Sequence, residues 1–340
     1  MASLRPAIAV TDPALEAALE AGLEAVEAKL AQAVASPDQL VADASAHLLR
    51  SGGKRLRPLL VLATAQLGGG VNDQVVDAAV VVELTHLASL YHDDVMDDAP
   101  LRRGAPSAHE VYGPSVAILT GDLLFAKASQ IVAGLGPAMV RLQAETFERL
   151  CLGQIHETAG PAAGEDPVAF HLRVLADKTG ALIATSARFG AMLGGADRSA
   201  VAAVVGYGEA VGVAFQLADD IIDLTSPTEV TGKTPGTDLR EGVPTMPGLL
   251  VEAAARRALD EGRADSPDVA LAQAIAGDLS SDAALASVVE RLRSSAALAE
   301  ARQIARSWAD RAQAELAPLP PGPVKQILAD LADLFIRRLA

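Results

Sequence analysis

The chain has 340 residues, a formal net charge of −15 at pH 7 and a hydrophobic content of 50%. This acidity argues against a nucleic-acid partner, because phosphate binding needs a basic protein face. The lone cysteine, Cys151, has no partner for an internal disulfide, so we expect a reducing, cytoplasmic location. No uninterrupted apolar run reaches the roughly 18 residues that a membrane span needs, so we expect no transmembrane segment.

Apolar residues recur at helical spacing almost throughout the chain, whereas no alternating strand pattern and no fixed repeat stands out. We therefore expect an all-α fold in a single domain, 1–340, with its longest irregular segment at 225–245. The first predicted helix begins near Asp12, an N-cap residue followed by Pro13. Further helices are predicted at 38–51, 54–68, 72–98, 114–133, 138–159, 167–193, 197–224, 246–262, 267–279, 281–316 and 323–338.

An acidic motif ends the predicted helix at 72–98. Asp93 and Asp97 are four residues apart, as are Asp94 and Asp98, so each pair shares one helix face. Like charges at this spacing repel each other and destabilise the helix unless a cation neutralises them. Carboxylate oxygens are the ligands that Mg²⁺ prefers, with water and substrate phosphate completing its shell. The motif therefore predicts a magnesium site.

A second acidic motif with the same spacing ends the predicted helix at 197–224. It consists of Asp219, Asp220 and Asp223 and follows the apolar run VVGYGEAVGVAFQLA. A single acidic run is usually a solvated helix end. Two runs of the same spacing, each closing an apolar helix, favour a different interpretation: they face each other across a cavity and share Mg²⁺ and a diphosphate.

Cations cluster in an otherwise acidic chain. Lys54, Arg55 and Arg57 follow two glycines at a predicted helix start, where backbone N–H groups and the helix dipole favour an anion. Arg102 and Arg103 follow the first acidic motif, and Lys178 and Lys233 add single cations. Separate acidic and basic clusters indicate a polyanion site held partly by metal and partly by Arg and Lys.

These motifs, in this order, resemble those of the trans-isoprenyl diphosphate synthases, the polyprenyl synthetase family. One acidic motif alone would be a weak signal, whereas the ordered set covers about two-thirds of the chain. The matching runs are GGKRLRP at 52–58, LYHDDVMDDAPLRRGAPSAH at 90–109, GDLLFAKA at 121–128, CLGQIHE at 151–157, DKTG at 177–180, AFQLADDIID at 214–223 and GKTPGTDLREG at 232–242.

The resemblance implies a helical bundle of the isoprenoid synthase type around a deep central cavity, assembled as a homodimer, with a motif-bearing core at about 50–245. It implies Mg²⁺-dependent, head-to-tail condensation of an allylic diphosphate, farnesyl or geranylgeranyl, with isopentenyl diphosphate. Three Mg²⁺ ions accompany the bound substrate. Metal and cations stabilise the departing diphosphate. An allylic carbocation forms, the double bond of isopentenyl diphosphate attacks it, and a proton is lost to the diphosphate.

The resemblance also assigns residues to two diphosphate sites. The residues implied to bind Mg²⁺ and the allylic diphosphate are Asp93, Asp94, Asp97 and Asp219, with Asp220 and Asp223 more remote and with Arg102, Lys178 and Lys233 as cations. The residues implied to bind isopentenyl diphosphate without metal are Lys54, Arg57, His86 and Arg103, beside Gly53. Thr179 and Gln216 are implied to place polar oxygens near the carbocation.

Product length is expected to depend on the helix before the first acidic motif. In the family, a bulky side chain about five residues before that motif stops chain growth early. Here that position is Ala88, next to Ser89, and both are small. Leu84 and Val81 continue the same helical stripe. We therefore expect a product longer than C20, in about the C30–C50 range of quinone side chains.

Three alternatives stay open. A geranylgeranyl or farnesyl diphosphate synthase results if Phe125 or Phe147 closes the cavity higher up. A class I terpene cyclase shares the fold and the first acidic motif, but it lacks the isopentenyl diphosphate cations. A non-catalytic subunit of a heteromeric synthase typically loses acidic motifs that this chain keeps. Outside the site, His109 and His156 are interpreted as structural and Cys151 as a core residue.

Overall fold

The computed structural model of the chain describes residues 10–226 and 234–337. Within these ranges the chain is predominantly helical, which confirms the predicted all-α fold. The elements in chain order are α1 (Pro13–Ala33), α2 (Gln39–Arg50), α3 (Leu56–Ala65), α4 (Asp73–Met96), β1 (Leu101–Arg102), β2 (Ala105–Pro106), α5 (Ala108–Tyr112), α6 (Pro114–Ala133), α7 (Pro137–Ala159), α8 (Pro167–Leu175), a π-helical turn (Ala176–Gly180), α9 (Ala181–Leu193), α10 (Arg198–Thr225), α11 (Thr237–Arg240), α12 (Met246–Asp260), α13 (Pro267–Ile275), α14 (Asp282–Arg293), α15 (Ala296–Glu315) and α16 (Pro323–Arg337).

Side-chain caps fix several helix starts. Asp12 accepts a hydrogen bond from the backbone N–H of Leu15 at 2.8 Å, which confirms the predicted N-cap of α1. Two long predicted helices are wrong. The stretch 167–193 is divided by the π-helical turn, and 281–316 is interrupted between α14 and α15. Apolar residues continue at helical spacing across both breaks, so the sequence pattern alone does not mark them.

A two-stranded hairpin, absent from the sequence prediction, follows α4. Its antiparallel register pairs Leu101 with Pro106 and Arg102 with Ala105. The two turn residues, Arg103 and Gly104, both have positive φ, at 56° and 79°. Positive φ at both central positions is the requirement of a type I′ turn, the tight turn that matches strand twist. Strands of two residues are too short to show an alternating pattern.

The helices form two compact units. The first contains the described residues up to Cys151, together with Ala181–Glu209 and Ala314–Asp330. The second contains Leu152–Gly180, the described part of Ala210–Gln313 and the end of α16. The single domain over 1–340 stays a prediction.

Helix α4 is the central element of the first unit. It packs against α1, α3, α6 and α9, and all residues from Ala78 to Thr85 are buried. A helix that is buried on every face needs no polar stripe, so its few charged residues stand out. They are Asp73 and Asp77 near its N-terminal end, Glu83 in the buried stretch and the aspartates at its C-terminal end. The core of the first unit thus leads directly into the first acidic motif.

Helices α3 and α9 pack with their backbones in close contact. Thr64 Oγ1 on α3 donates a hydrogen bond to the carbonyl oxygen of Ala187 on α9, at 2.9 Å. A Cβ atom on Gly190 would lie 2.0 Å from the Val61 carbonyl oxygen and 2.3 Å from Thr64 Oγ1. Only glycine therefore fits at position 190.

The second unit has its own smaller core. Ala255 and Ala258 on α12 pack with Val269 and Ala272 on α13. Arg293 Nε, at the end of α14, donates a hydrogen bond to the Leu224 carbonyl oxygen at 2.7 Å, near the end of α10. This bond holds the segment that follows the second acidic motif.

Among the described residues, three helices are long and apolar enough to cross a membrane by length and composition alone: α4, α6 and α10. The criterion of 18 uninterrupted apolar residues missed them because each contains polar positions. The most apolar windows of α4 and α10 are 72% and 61% buried in the protein, whereas that of α6 is 33% buried. The absence of a transmembrane segment stays a prediction.

Replacing Gly190 with alanine should destabilise the first unit. The new methyl group would force α3 and α9 apart, and overpacking of this kind costs roughly 1–3 kcal/mol. Gly248→Ala is the matched control, because its nearest contact is 3.4 Å and α12 would gain helix propensity. Thermal unfolding followed by circular dichroism should show a lower Tm for Gly190→Ala only. Equal Tm values for the two variants would contradict the close packing.

Candidate active site

The first acidic motif lies at the C-terminal end of α4. Asp93 and Asp94 belong to the last helical turns, and Asp97 is the C-cap. Asp94 is fully buried, and its Oδ1 accepts a hydrogen bond from Arg102 Nε at 2.6 Å and forms an ion pair with Nη2 at 2.5 Å. Its other oxygen, Oδ2, is buried without a hydrogen-bond partner. A buried carboxylate oxygen needs a partner, so this atom fits the donor set of a hard divalent cation.

The hairpin after α4 directs its two arginines to different groups. Arg102, on β1, contacts Asp94, whereas Arg103, in the turn, donates to the Leu48 carbonyl oxygen at 3.5 Å. A methyl group on Gly53 would lie 2.9 Å from nitrogen atoms of both Arg103 and Arg55. Gly53 therefore leaves room for the guanidinium groups that gather around it.

The backbone before α3 is held in left-handed conformations. Gly52 and Gly53 have φ of 81° and 150°, and Arg55 has φ of 48°, which is uncommon for a residue with a side chain. The Arg55 side chain is only 5% exposed and forms ion pairs with Glu27 of α1 and with Glu83 of α4, the latter at 3.0 Å. Arg55 therefore joins this segment to two core helices.

Positive charge surrounds His86. Burial and the nearby charge of Arg103 lower the pKa of Arg57 to about 10, although the charge of Glu83 opposes this shift. The Nε atom of Arg57 is buried without a hydrogen-bond partner. Burial, followed by the charges of Arg57 and Arg103, lowers the pKa of His86 well below its usual value. His86 is therefore neutral at pH 7, in a cluster with surplus positive charge that suits an anionic ligand.

The structure thus brings most of the predicted isopentenyl diphosphate residues together. Gly53, Arg57, His86 and Arg103 form one cluster, and Lys54 is exposed in the same turn. Because Arg102 also acts on His86, the basic cluster adjoins the first acidic motif within the first unit.

The second unit contains Thr179 and Gln216, the residues predicted to stabilise the carbocation. Thr179 Oγ1 donates a hydrogen bond to Gln216 Oε1 at 3.2 Å, and Lys178 Nζ forms an ion pair with Glu157. Lys178 and Thr179 belong to the π-helical turn, a form of winding that occurs frequently at functional sites. A Cβ atom on Gly153 would lie 2.7 Å from the Lys178 backbone nitrogen, so α7 packs directly against this turn.

The second acidic motif lies at the end of α10, with Asp219 and Asp223 partly buried. Asp220 is buried, and its Oδ2 accepts a hydrogen bond from the backbone N–H of Met246 at 2.9 Å and lies 3.2 Å from His171 Nε2. These contacts give Asp220 a role in holding the start of α12. Its role as a remote metal ligand stays a prediction, as does the approach of the two motifs across a cavity. Lys233 lies outside the described residues.

The predicted chain-length stripe is buried. Ala88, Leu84 and Val81 are at most 1% exposed, while Ser89 is partly buried and donates to the His86 carbonyl oxygen at 2.8 Å. Aromatic rings lie nearby on α6 and α7: the Phe125 centroid is 4.1 Å from that of Phe147 and 5.8 Å from that of His92. Both the predicted stripe and an aromatic pair on α6 and α7 are therefore present.

Sequence reasoning missed the supporting carboxylates and misplaced one residue. Glu83 stands alone in the apolar run VVVELTH, and a single charge in such a run is the signal that could have identified it. Glu27 shows no comparable signal, because it lies in an acidic amphipathic helix. Cys151, predicted to be a core residue, is exposed, so that prediction is wrong.

Comparisons with known proteins show which family the chain resembles. The family model described as "Polyprenyl synthetase" matches residues 38–274. The nonaprenyl diphosphate synthase of Mycobacterium tuberculosis is 42% identical over 96% of this chain and 95% of its own length. The heptaprenyl diphosphate synthase component 2 of Geobacillus stearothermophilus is 36% identical over 91% and 93%. The crystal structure of a geranylgeranyl pyrophosphate synthase from Corynebacterium glutamicum, complexed with calcium and isoprenyl diphosphate, matches with a TM-score of 0.85 and 40% identity, covering 98% of this chain and 99% of that one.

The stability of the protein should fall on mild acidification because of His86. In the folded protein its pKa is well below 6.5, so between that pKa and 6.5 the unfolded chain binds more protons. The free energy of unfolding should therefore decrease as pH falls through about 6.5, by at most about 1.4 kcal/mol per pH unit. Urea unfolding between about pH 5 and pH 7.5 should show a shallower slope for His86→Gln. His156→Gln, which changes an exposed ring, is the control, and an unchanged slope in His86→Gln would contradict the assignment.

Proposed function

The chain belongs to the polyprenyl synthetase family, and we propose that it catalyses the Mg²⁺-dependent head-to-tail condensation of an allylic diphosphate with isopentenyl diphosphate. The observation that carries this proposal is that two buried polar side chains of the first unit, one acidic and one basic, each have an atom without a hydrogen-bond partner. Asp94 presents a buried carboxylate oxygen without a partner, and Arg57 presents a buried N–H without a partner. The first needs a cation and the second needs an anion, as a metal-bound diphosphate and a metal-free diphosphate would supply.

The allylic diphosphate site is assigned to the aspartates at the end of α4. Asp93, Asp94 and Asp97 would hold Mg²⁺, with Asp219 as the ligand from the second motif. When bound, Mg²⁺ would neutralise charge on the departing diphosphate. Arg102 already neutralises one oxygen of Asp94, so it orients that carboxylate while its remaining N–H groups are available to phosphate oxygens. Lys178 and Lys233 are proposed as further cations.

The isopentenyl diphosphate site is assigned to the cluster around Gly53. Arg57 and Arg103 supply guanidinium donors, Lys54 supplies an exposed ammonium group, and the left-handed glycine allows the close approach of phosphate. A neutral His86 donates a hydrogen bond without adding a further positive charge to the cluster. The diphosphate would thus be held while the alkene end stays free to react.

The chemistry then proceeds by ionisation and addition. The bond between C1 of the allylic substrate and its diphosphate oxygen breaks, and the diphosphate keeps the electron pair. The alkene of isopentenyl diphosphate attacks the allylic cation, and loss of a proton to the released diphosphate restores a double bond. Thr179 already donates its proton to Gln216, so its oxygen presents lone pairs with which it would stabilise the cation.

We propose a product longer than C20, in about the C30–C50 range, from a farnesyl or geranylgeranyl primer. The small side chains of Ala88 and Ser89, with no aromatic residue at Leu84 or Val81, support this. The similarity to a nonaprenyl diphosphate synthase and to a heptaprenyl diphosphate synthase component supports it as well. The aromatic pair of Phe125 and Phe147 is the observation that favours the alternative, a geranylgeranyl diphosphate synthase.

A cytoplasmic homodimer is proposed as the working form. Exposed apolar side chains on α6 and α7 of the first unit support it: Ile118, Leu119, Val140 and Phe147 are 37–65% exposed. An interface between two copies would cover large apolar side chains of this kind. Assembly with a second, different subunit is the alternative, because one similar protein is named as a component of its synthase.

Loss of metal or of one aspartate should greatly reduce turnover without unfolding the protein. Asp93→Asn and Asp219→Asn should each lower kcat by about 100-fold or more, the effect of removing one preorganised charge from a transition state. Asp73→Asn, at the other end of α4, is the matched control. Initial rates with labelled isopentenyl diphosphate, farnesyl diphosphate and Mg²⁺ measure the effect. Near-normal turnover in excess EDTA would overturn the proposal.

Ala88→Phe should shorten the product to about C15–C20 while turnover continues, because both diphosphate sites are untouched. Ala88→Ser is the size-matched control, and Phe125→Ala tests whether the aromatic pair limits growth instead. Chromatographic sizing of the dephosphorylated products distinguishes control of product length at Ala88 from control by the aromatic pair. A wild-type product of C15 or C20 that lengthens only in Phe125→Ala would show that the stripe at Ala88 does not set the length.

A further inference from the structure

Three ligating side chains meet beside the hairpin, outside the proposed active site. They are Asp98, directly after α4, and His109 and Glu110, in α5. One ligating atom from each residue lies within 4.8 Å of those of the other two. His109 Nε2 is 3.4 Å from Glu110 Oε1 and 3.7 Å from Asp98 Oδ1. Both carboxylates are solvent-accessible, since the side chain of Asp98 is 97% exposed and that of Glu110 is 51% exposed.

The histidine is the buried member of this cluster. Its side chain is only 5% exposed, and Nε2 is buried without a hydrogen-bond partner. A buried ring nitrogen directed at two carboxylate oxygens is not satisfied by them unless it carries a proton or shares a cation with them. The unsatisfied Nε2 atom is evidence that does not depend on the acidic residues, and it indicates that the cluster binds a ligand.

Ser107 fixes which ring nitrogen carries the proton. Ser107 Oγ donates its hydrogen to the Ala99 carbonyl oxygen at 2.5 Å and lies 3.3 Å from His109 Nδ1. With the hydroxyl hydrogen committed, Nδ1 must donate to Oγ, so neutral His109 keeps a lone pair on Nε2. An outer hydrogen bond of this kind orients the ring nitrogen of metal-bound histidines in proteins.

We propose that Asp98, His109 and Glu110 bind a divalent transition-metal ion of the Zn²⁺ class, with water completing its coordination. Zn²⁺ takes imidazole nitrogen and carboxylate oxygen at about 2.0–2.2 Å, which separates neighbouring ligands by about 3.3 Å in a tetrahedron. The separation of 3.4 Å between His109 and Glu110 is already close to this value. Imidazole distinguishes the site from the Asp motifs, whose all-oxygen ligands suit Mg²⁺.

The position of the site gives it a consequence for the hairpin. Asp98 precedes β1, and His109 and Glu110 follow β2, so a shared ion closes the loop that carries Arg102 and Arg103. Closing a loop reduces the conformational freedom that it can gain on local opening. The ion would therefore hold the base of the hairpin.

Zn²⁺ binding by the full chain tests this site without measuring turnover. All proteins carry Cys151→Ser, because an exposed thiol would bind Zn²⁺ by itself, and all solutions contain millimolar Mg²⁺ to occupy carboxylate-only sites. Asp98→Asn is the main variant: Asn tolerates the left-handed φ of 48° at this position, and the side chain is exposed, so the fold is retained. Glu110→Gln is a second ligand variant, and His156→Gln is the control histidine variant.

One Zn²⁺ per chain should bind the Cys151→Ser protein and its His156→Gln derivative. Asp98→Asn and Glu110→Gln should each weaken binding by at least about tenfold, since even outer-shell changes cost 10–100-fold. The ¹⁵N signal of His109 Nε2 should be that of an unprotonated nitrogen and should shift when Zn²⁺ is added. Equal Zn²⁺ affinity in all four proteins, or a His109 signal that is protonated at Nε2 and does not respond to Zn²⁺, would overturn the proposal.

Discussion

The buried ion pairs of Arg55 are the interaction on which the basic half of the site depends. Arg55 has left-handed backbone geometry, which costs an L-residue roughly 1–2 kcal/mol. Its guanidinium group lies between Glu27 of α1 and Glu83 of α4. Removing one partner from a buried pair typically costs about 3–5 kcal/mol, more than the backbone strain. The pairs therefore keep the segment before α3 in the conformation that places Gly53 beside the other cations.

Glu83 also sets the charge balance of the cluster. It raises the pKa values of Arg55, Arg57 and Arg103, while burial lowers all three. Glu27 and Glu83 both pair with Arg55, which leaves Arg57 and Arg103 as surplus positive charge. Burial and this surplus charge together lower the pKa of His86. A site with this charge is stabilised by an anion and needs little rearrangement to accept one, which is the basis of electrostatic preorganisation. The aspartates at the end of α4 need positive charge instead, and Arg102 supplies only part of it.

The sequence was sufficient for the fold class, most helix positions and the family, because apolar periodicity and motif order are local signals. It was insufficient where tertiary contacts decide. The π-helical turn at 176–180 lies in close contact with Gly153, and Asp220 accepts a hydrogen bond from the backbone N–H of Met246, 26 positions away. Arg55 was visible in its motif, but its partners on α1 and α4 were not. The hairpin is too short to have a period.

That hairpin determines how the two charge clusters are divided. A type I′ turn reverses the chain within two residues, so consecutive side chains point in different directions. Arg102, in the strand, reaches Asp94, whereas Arg103, in the turn, lies beside Gly53. A longer, flexible loop would leave both guanidinium groups free to pair with the same aspartates. The tight turn instead keeps one cation for the acidic site and one for the basic site, so the two predicted diphosphate sites stay adjacent without neutralising each other.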